Sequence, residues 1–348
     1  MMQPRPSAAS LREIAKETNL SITTVSRVLR EQGEISSETR KRVLDAAKRK
    51  RYRPNLLVRA LQTGKTRTMG VMVPPYDSYW TQVVAGIHDA LAEADHVYIH
   101  AWCSEQLTNG GSYNHILQEQ LHRLIDRRVD GIILWAHLAP LYDKRLVKDL
   151  EARDLPVVTI DHELPFADSV ETDEKLGARL AARHLLELGH RHVAHLAWDD
   201  SYKWAQLRRS YFEKEIASAG NATCVTMMTE KDEEVASLTR KLLASGPRPT
   251  AIFACSDRVA RLIYETVNQM GLRIPDDLSV VGFADLEFAS WMQPGLTTIR
   301  QDGIEAGRTA ARLVVDRSEG RLEEAKPQHL RISCRLIKRG STAPQKSK

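Results

Sequence analysis

The stretch Ser21-Ile22-Thr23-Thr24-Val25-Ser26-Arg27-Val28 carries side chains suited to touching a nucleic acid. Wound as a helix, it puts Val25, Val28 and Leu29 on one side, at the spacing of a buried stripe. The opposite side shows Ile22, Thr23, Ser26 and Arg27, small or polar groups able to reach base edges and phosphates. Ser21 stands where an N-cap is wanted, its hydroxyl available to a free amide of the first turn. A second cluster, His184, His190, His192 and His195, could be imagined as a hydrolase or metal site. Its spacing fits no metal motif, and the chain has neither a G-x-S-x-G elbow nor a phosphate loop, so no catalytic residue is assigned.

The elements that must hold the first set in place are short helices. Upstream, Leu11, Ile14 and Ala15 form another apolar stripe, opened by the capping-box pattern Ser10-Leu11-Arg12-Glu13. Only Thr18-Asn19-Leu20 separates the two helices, which makes a helix-turn-helix. A third helix follows a polar loop containing Gly33. It has Ser36 as N-cap, Glu38 in its first turn, and Val43, Leu44, Ala46 and Ala47 as its apolar face. Its end, Lys48-Arg49-Lys50-Arg51, would lie beside a DNA backbone. Next, Pro54 to Gly64 reads as a helix of about the length that is marginal alone in water. Leu56, Leu57 and Leu61 on this basic linker either pack on the protein body or enter a DNA minor groove.

Charge separates the chain into unlike parts. The 348 residues carry a net +5, yet residues 1–65 hold 15 Lys and Arg against 6 Asp and Glu. The remaining residues hold 35 basic and 39 acidic groups. A basic head on a mildly acidic body is the electrostatic footprint of a nucleic-acid-binding module carried by something else. Cys103, Cys224, Cys255 and Cys334 are too scattered for a zinc site or a disulfide framework and read as reduced, buried thiols. No apolar run could serve as a signal peptide or span a membrane, which points to a cytoplasmic protein without membrane partners.

From Arg67 onward, apolar β-branched runs alternate with amphipathic stretches, from Met69–Val73 and Trp80–Ala92 to Val259–Met270 and Leu278–Phe283. Such alternation predicts parallel sheets with helices on both faces. Two successive rounds predict two similar lobes with a break near Asp161–Ser169, and a ligand cleft beyond the carboxyl ends of the strands.

These segments resemble the LacI/GalR (lactose-repressor) family of bacterial transcription regulators. The head matches in Leu11–Ala15, Leu20–Leu29 and Ile35–Arg40, and the linker in Tyr52–Asn55 and Ala60-Leu61. The body matches in Arg128–Ile133, Leu185–His190, Pro275–Phe283, Leu296–Ile299 with Gln301, and Lys338–Thr342. The resemblance implies an all-α helix-turn-helix head on an α/β two-lobed body like periplasmic binding proteins. Its expected domains are a head at 1–52, a hinge helix at 53–66, an effector-binding and dimerisation body at 67–342 and a disordered tail at 343–348.

The resemblance also implies roles. Ile22, Thr23 and Arg27 would read base edges, while Ser21, Thr24, Ser26, Asn55 and Arg59 would hold phosphates or minor-groove edges. Leu61 would wedge into the central step of a palindromic operator, which requires a homodimer. Ile22 can donate no hydrogen bond, so readout there would be apolar contact with a thymine methyl. A small molecule, commonly a sugar or a nucleobase, would bind between the lobes. Its implied contacts are Tyr79, Trp80, Trp135, Asp161, Lys203, Trp204, Arg208, Ser256, Asp257 and Asp285, with Arg208 matching the family's effector-gripping arginine. Trp102, Trp198 and Trp291 are assigned to core packing. Where many relatives have Gly-Phe-Asp-Asp, this chain has Gly282-Phe283-Ala284-Asp285, which removes a usual ligand contact. The expected function is an allosteric, effector-controlled repressor with no cofactor and no catalysis. The alternative is a solute-binding protein with no DNA role, which would lack the basic head.

Overall fold

Local capping accounts for the head. In α1 (Leu11–Thr18), Ser10 and Glu13 cap each other reciprocally, and Asn19 ends the helix in the left-handed conformation at φ 51°. In α2 (Ile22–Leu29), the Thr24 amide donates to Ser21 Oγ at 2.9 Å. In α3 (Ser37–Arg49), the Thr39 amide donates to Ser36 Oγ. Ile14, Val25, Val28, Val43, Ala46 and Ala47 interlock as the core. Leu44, expected on that face, is 48% exposed, because positions 43, 46 and 47 already fill the inward stripe. Arg49 and Lys50 both pair with Glu17 of α1, so half of the basic run ties two helices together.

The structure is a computed structural model that describes residues 10–29, 33–52, 60, 63–74, 77–101, 113–135, 147–148, 150, 152–322 and 326–346, without the side chains of 113–117. It divides into two units, residues 1–66 and 67–348.

Twelve strands and seven helices follow in the second unit, among the described residues. The chain runs β1 (Thr68–Met72), α4 (Ser78–Glu93), β2 (Val97–His100), α5 (Tyr113–Asp126), β3 (Gly131–Trp135), β4 (Val157–Ile160) and β5 (Asp168–Thr172). It continues through α6 (Glu174–Glu187), β6 (His192–Trp198), α7 (Lys203–Ser218), β7 (Thr223–Thr229), α8 (Val235–Ala244), β8 (Ala251–Ala254) and α9 (Asp257–Gln269). Last come β9 (Ser279–Ala284), β10 (Thr297–Arg300), α10 (Gly303–Ser318), β11 (His329–Ile332) and β12 (Arg335–Ile337). One sheet has the order β11-β5-β4-β3-β1-β2 and the other β12-β10-β9-β8-β6-β7. All pairings are parallel except β10 with β12. Strands such as β8, Ala-Ile-Phe-Ala, are buried throughout, as parallel strands covered on both faces must be.

The lobes do not part at 161–169 as the pattern predicts. β5 belongs to the first sheet, and the crossing comes after Thr172. Asp-Ser-Val-Glu-Thr reads as a loop because its burial is polar. Arg317 forks onto Asp168 at 2.9 Å, and the Gln328 amide donates to the same carboxylate. The chain then returns: α10 leaves β10 of the second sheet and packs on α4 of the first lobe, and β11 completes the first sheet's edge. The helices meet at glycines. A methyl at Gly86 would strike the Ile304 carbonyl, and one at Gly307 the Val83 carbonyl.

Two other expectations fail. Residues 343–346 of the expected tail are not loose: the Ala343 amide donates to Ser279 Oγ at 3.1 Å and the Gln345 amide to the Leu188 carbonyl at 2.8 Å. Trp291 is 68% exposed rather than core, while Trp198 is half-buried and Trp102 lies outside the described residues. Cys255 and Cys334 are buried and Cys224 half-buried, and burial pushes each of these thiols up to about 12.

Candidate functional site

The outer face of α2 presents Ile22, Thr23 and Arg27 to solvent, with Thr24 and Ser26 half-buried beside them. Ile22 is 45% exposed although Val25 and Val28 on the same helix are fully covered. Ser21 Oγ caps the helix and lies 2.8 Å from Thr24 Oγ1, which holds both hydroxyls at the helix start. An N-terminal turn with free amides, hydroxyls and an extended guanidinium can meet phosphates and base edges together. Asn55, Arg59 and Leu61 lie outside the described residues.

In the body, a cavity of about 220 Å³ is lined by Asp161, Glu171, Thr172, Glu174, Lys203, Trp204 and Leu207. Asp161 ends β4, Glu171 and Thr172 end β5, Glu174 begins α6, and the other three come from the first turns of α7. The cavity therefore sits between the lobes, beyond the carboxyl ends of parallel strands. Beside it the three segments that cross between the lobes, after Thr172, Arg300 and Ile332, are tied to one another: the Asp173 amide donates to the Ile332 carbonyl at 2.9 Å, Gln301 Nε2 to Thr172 Oγ1 at 3.0 Å, and Cys334 Sγ to the Asp173 carbonyl at 3.4 Å.

Arg208 forms the wall behind the cavity. Its Nε and Nη2 fork onto both Glu174 oxygens at 2.5 and 3.0 Å, and Nη1 donates to the Cys255 carbonyl at 2.6 Å. The guanidinium also lies 4.5 Å from the Trp204 ring centre and 3.6 Å from that of Phe283. Burial raises the Glu174 carboxyl, against the pull of Arg208. Lys203 Nζ bridges Glu171 at 3.1 Å and Glu163 at 3.2 Å. Asp161, in the left-handed region at φ 65°, accepts from Tyr79 Oη at 3.4 Å. Burial, reinforced by Glu174 and Glu171, lifts Asp161 to about 7.

Of the ten expected effector contacts, Asp161, Lys203 and Trp204 line the cavity, and Tyr79 and Arg208 stand directly behind it. Trp80 belongs to the first-lobe core, edge-on to Tyr79 at 5.2 Å and to half-buried Trp135 at 5.7 Å. Ser256 caps α9 by accepting from the Val259 amide. Asp257 is fully buried, taking the Leu286 amide and Thr298 Oγ1, and burial raises it to about 6. Asp285 pairs with Arg300 at 2.5 Å and Arg339 at 2.7 Å. These last two carboxylates serve the second lobe's interior instead of the cavity. Glu171, Thr172, Glu174 and Leu207 were missed. A pattern reading that recognised β5 would have found the first three, since they follow a strand's carboxyl end.

The histidines are structural. His195 is enclosed between Phe212 and Phe253, with Nδ1 2.9 Å from the Phe253 carbonyl, and burial lowers it to about 4. His184, His190 and His192 bond Thr342, Thr250 and Thr223. Among the described residues no helix is long and apolar enough to cross a membrane.

Comparison with known proteins covers both parts. Residues 10–55 match the model of bacterial regulatory proteins of the lacI family, and residues 182–342 a periplasmic binding protein-like domain. The ribose operon repressor of Haemophilus influenzae is 31% identical over 94% of this chain and 97% of its own. The HTH-type transcriptional repressor PurR of Photobacterium profundum is 28% identical over 91% and 94%. Among solved structures, the Lac repressor dimer bound to operator and the anti-inducer ONPF superposes with a TM-score of 0.77 at 25% identity, covering 97% of this chain and all of that one. A LacI-family regulator from Enterococcus faecium with bound ribose gives 0.67 at 28% identity over 80% of this chain and all of that one. With a helix-turn-helix head, a two-lobed body and relatives matched nearly end to end, the chain belongs to the LacI family of bacterial transcription regulators.

Proposed function

We propose that this protein is a cytoplasmic repressor that binds a palindromic operator as a homodimer and responds to a sugar or sugar derivative held between its lobes. One observation carries the reading: a single chain joins an exposed helix bearing Ile22, Thr23 and Arg27 to a hinged, two-lobed body with a polar interlobe cavity. In this reading Ile22 contacts a thymine methyl, Thr23 and Arg27 read neighbouring base edges, and Ser21, Thr24 and Ser26 hold phosphates. Asn55, Arg59 and the wedge residue Leu61 complete the contacts from the hinge, and the units are a head at 1–52, a hinge at 53–66 and a body from 67. Closing the lobes on an effector moves the three linking segments, and with them the start of β1 that follows the hinge. Reciprocity then requires that effector and operator change each other's affinity by the same factor, typically about 1–3 kcal/mol.

The relatives support the sugar: one is named a ribose operon repressor, and one solved neighbour holds ribose. The test is a mobility shift with the DNA upstream of the protein's own gene, repeated with a panel of pentoses and hexoses. The reading expects one palindrome to be retained at salt concentrations that release random DNA, and one sugar to alter that retention. Equal retention of every sequence, under all sugars, would sink it.

A further inference from the structure

Charges in the interlobe cavity do not balance. Among the described residues, three carboxyl groups line it, from Asp161, Glu171 and Glu174, against the one ammonium of Lys203. The cations nearby are already committed. Arg208 is forked onto Glu174 and tied to the Cys255 carbonyl, and Lys203 is shared between Glu171 and Glu163. Arg331 lies 3.8 Å from Glu163. Among the described residues, Asp161 has a single side-chain hydrogen bond, from the neutral Tyr79 hydroxyl at 3.4 Å. Glu171 spends one oxygen on Lys203 and keeps the other without a hydrogen-bond partner among those residues.

The walls narrow the ligand further. Trp204 and Leu207 supply an apolar wall, while Thr172 adds a hydroxyl for a polar edge. Among the described residues, an anionic ligand would meet carboxyl groups and no uncommitted cation. A neutral ring would leave Asp161 and the second Glu171 oxygen without a charged partner once the lobes close, whereas a cation would supply one through charge-assisted hydrogen bonds.

We infer that the effector is a hydroxylated ring bearing a protonated amine, an amino sugar in chemical class, with its ammonium against Asp161 and Glu171 and its apolar face on Trp204. This rests on the cleft being the effector site, and it narrows the sugar reading to a cationic one.

Calorimetric titration of the full-length protein with matched probes tests it: glucosamine, galactosamine and mannosamine, each beside its parent hexose and its N-acetyl form, with ribose as a further neutral probe. At least one amino sugar should bind tenfold or more tightly than both of its neutral counterparts. Asp161→Asn and Glu171→Gln should each cut that preference below threefold while still unfolding in one cooperative thermal transition. If no amine outbinds its neutral counterpart, the inference is overturned; a neutral sugar that does bind would then leave the sugar-responsive repressor standing. If no sugar of any kind binds, both fall together.

Discussion

The two functional regions handle their polar side chains in opposite ways. On α2, Ile22, Thr23 and Arg27 stand in water, and only the helix start is occupied, by the Ser21–Thr24 pair. In the cleft, Arg208 is paired with Glu174 and Lys203 with Glu171. The head therefore keeps its proposed contact groups separate from its core, whereas the cleft ties its proposed contact groups into the fold. Substitutions should cost binding alone in the first region, and binding together with stability in the second.

Arg208→Ala is the largest break of that contrast. It strands Glu174 in a buried site, and losing one partner of such a pair costs about 3–5 kcal/mol. Urea unfolding of the body should show the loss; an unchanged midpoint would mean the pair carries no structural load. Ile14→Ala removes a fully buried side chain from the small head and should cost about 2–5 kcal/mol there. The head's amides should then exchange quickly with deuterium while those of β8 stay protected. Loss of protection in both units would deny their independence.

Arg27→Ala should weaken operator binding by about 1–3 kcal/mol and relax sequence preference at one position. Because Arg27 is exposed, its thermal transition should match wild type; a lowered transition would show that α2 needs the side chain to fold.

The smallest effect is one of pH. Burial, Glu174 and Glu171 raise Asp161 to about 7, against the opposing influence of Arg208 and the Tyr79 hydroxyl. The folded protein thus holds this proton to higher pH than the unfolded chain, and between the ordinary 3.8 and about 7 its stability falls as pH rises. The penalty is complete above the folded value. Asp161→Asn, neutral throughout, should melt with wild type near the acid end of that window and a few degrees above it at pH 8. Parallel melting curves across the window would show that Asp161 ionises freely.

The same contrast explains what could be read from sequence. The head's signals are local: Ser10 with Glu13, Ser21 with Thr24 and Ser36 with Thr39 lie within four residues, so capping and periodicity suffice. Exposed Leu44 was misjudged only because apolar neighbours at 43, 46 and 47 suggested a wider stripe. The body's alternation of strand and helix was equally plain wherever burial was apolar, as in β3 and β8. It failed at β5, whose Asp168 is satisfied by Arg317, 149 residues onward. That strand carries Glu171 and Thr172 and leads to Glu174, so overlooking it hid much of the cavity. Asp257 and Asp285, named as contacts from family position, bond Thr298, Arg300 and Arg339 within the chain. No local pattern reports such distant partners.

The departure of α10 from the second lobe to clasp α4 makes the order of synthesis matter. A ribosome finishes β5 about 160 residues before it reaches β11, an interval of roughly 8–30 s at ordinary elongation rates. During that interval the newborn first lobe lacks both its final helix and its edge strand, leaving Asp168 without Arg317 and the Gly86 groove open. Half of this repressor must wait, uncovered, for the other half to be translated.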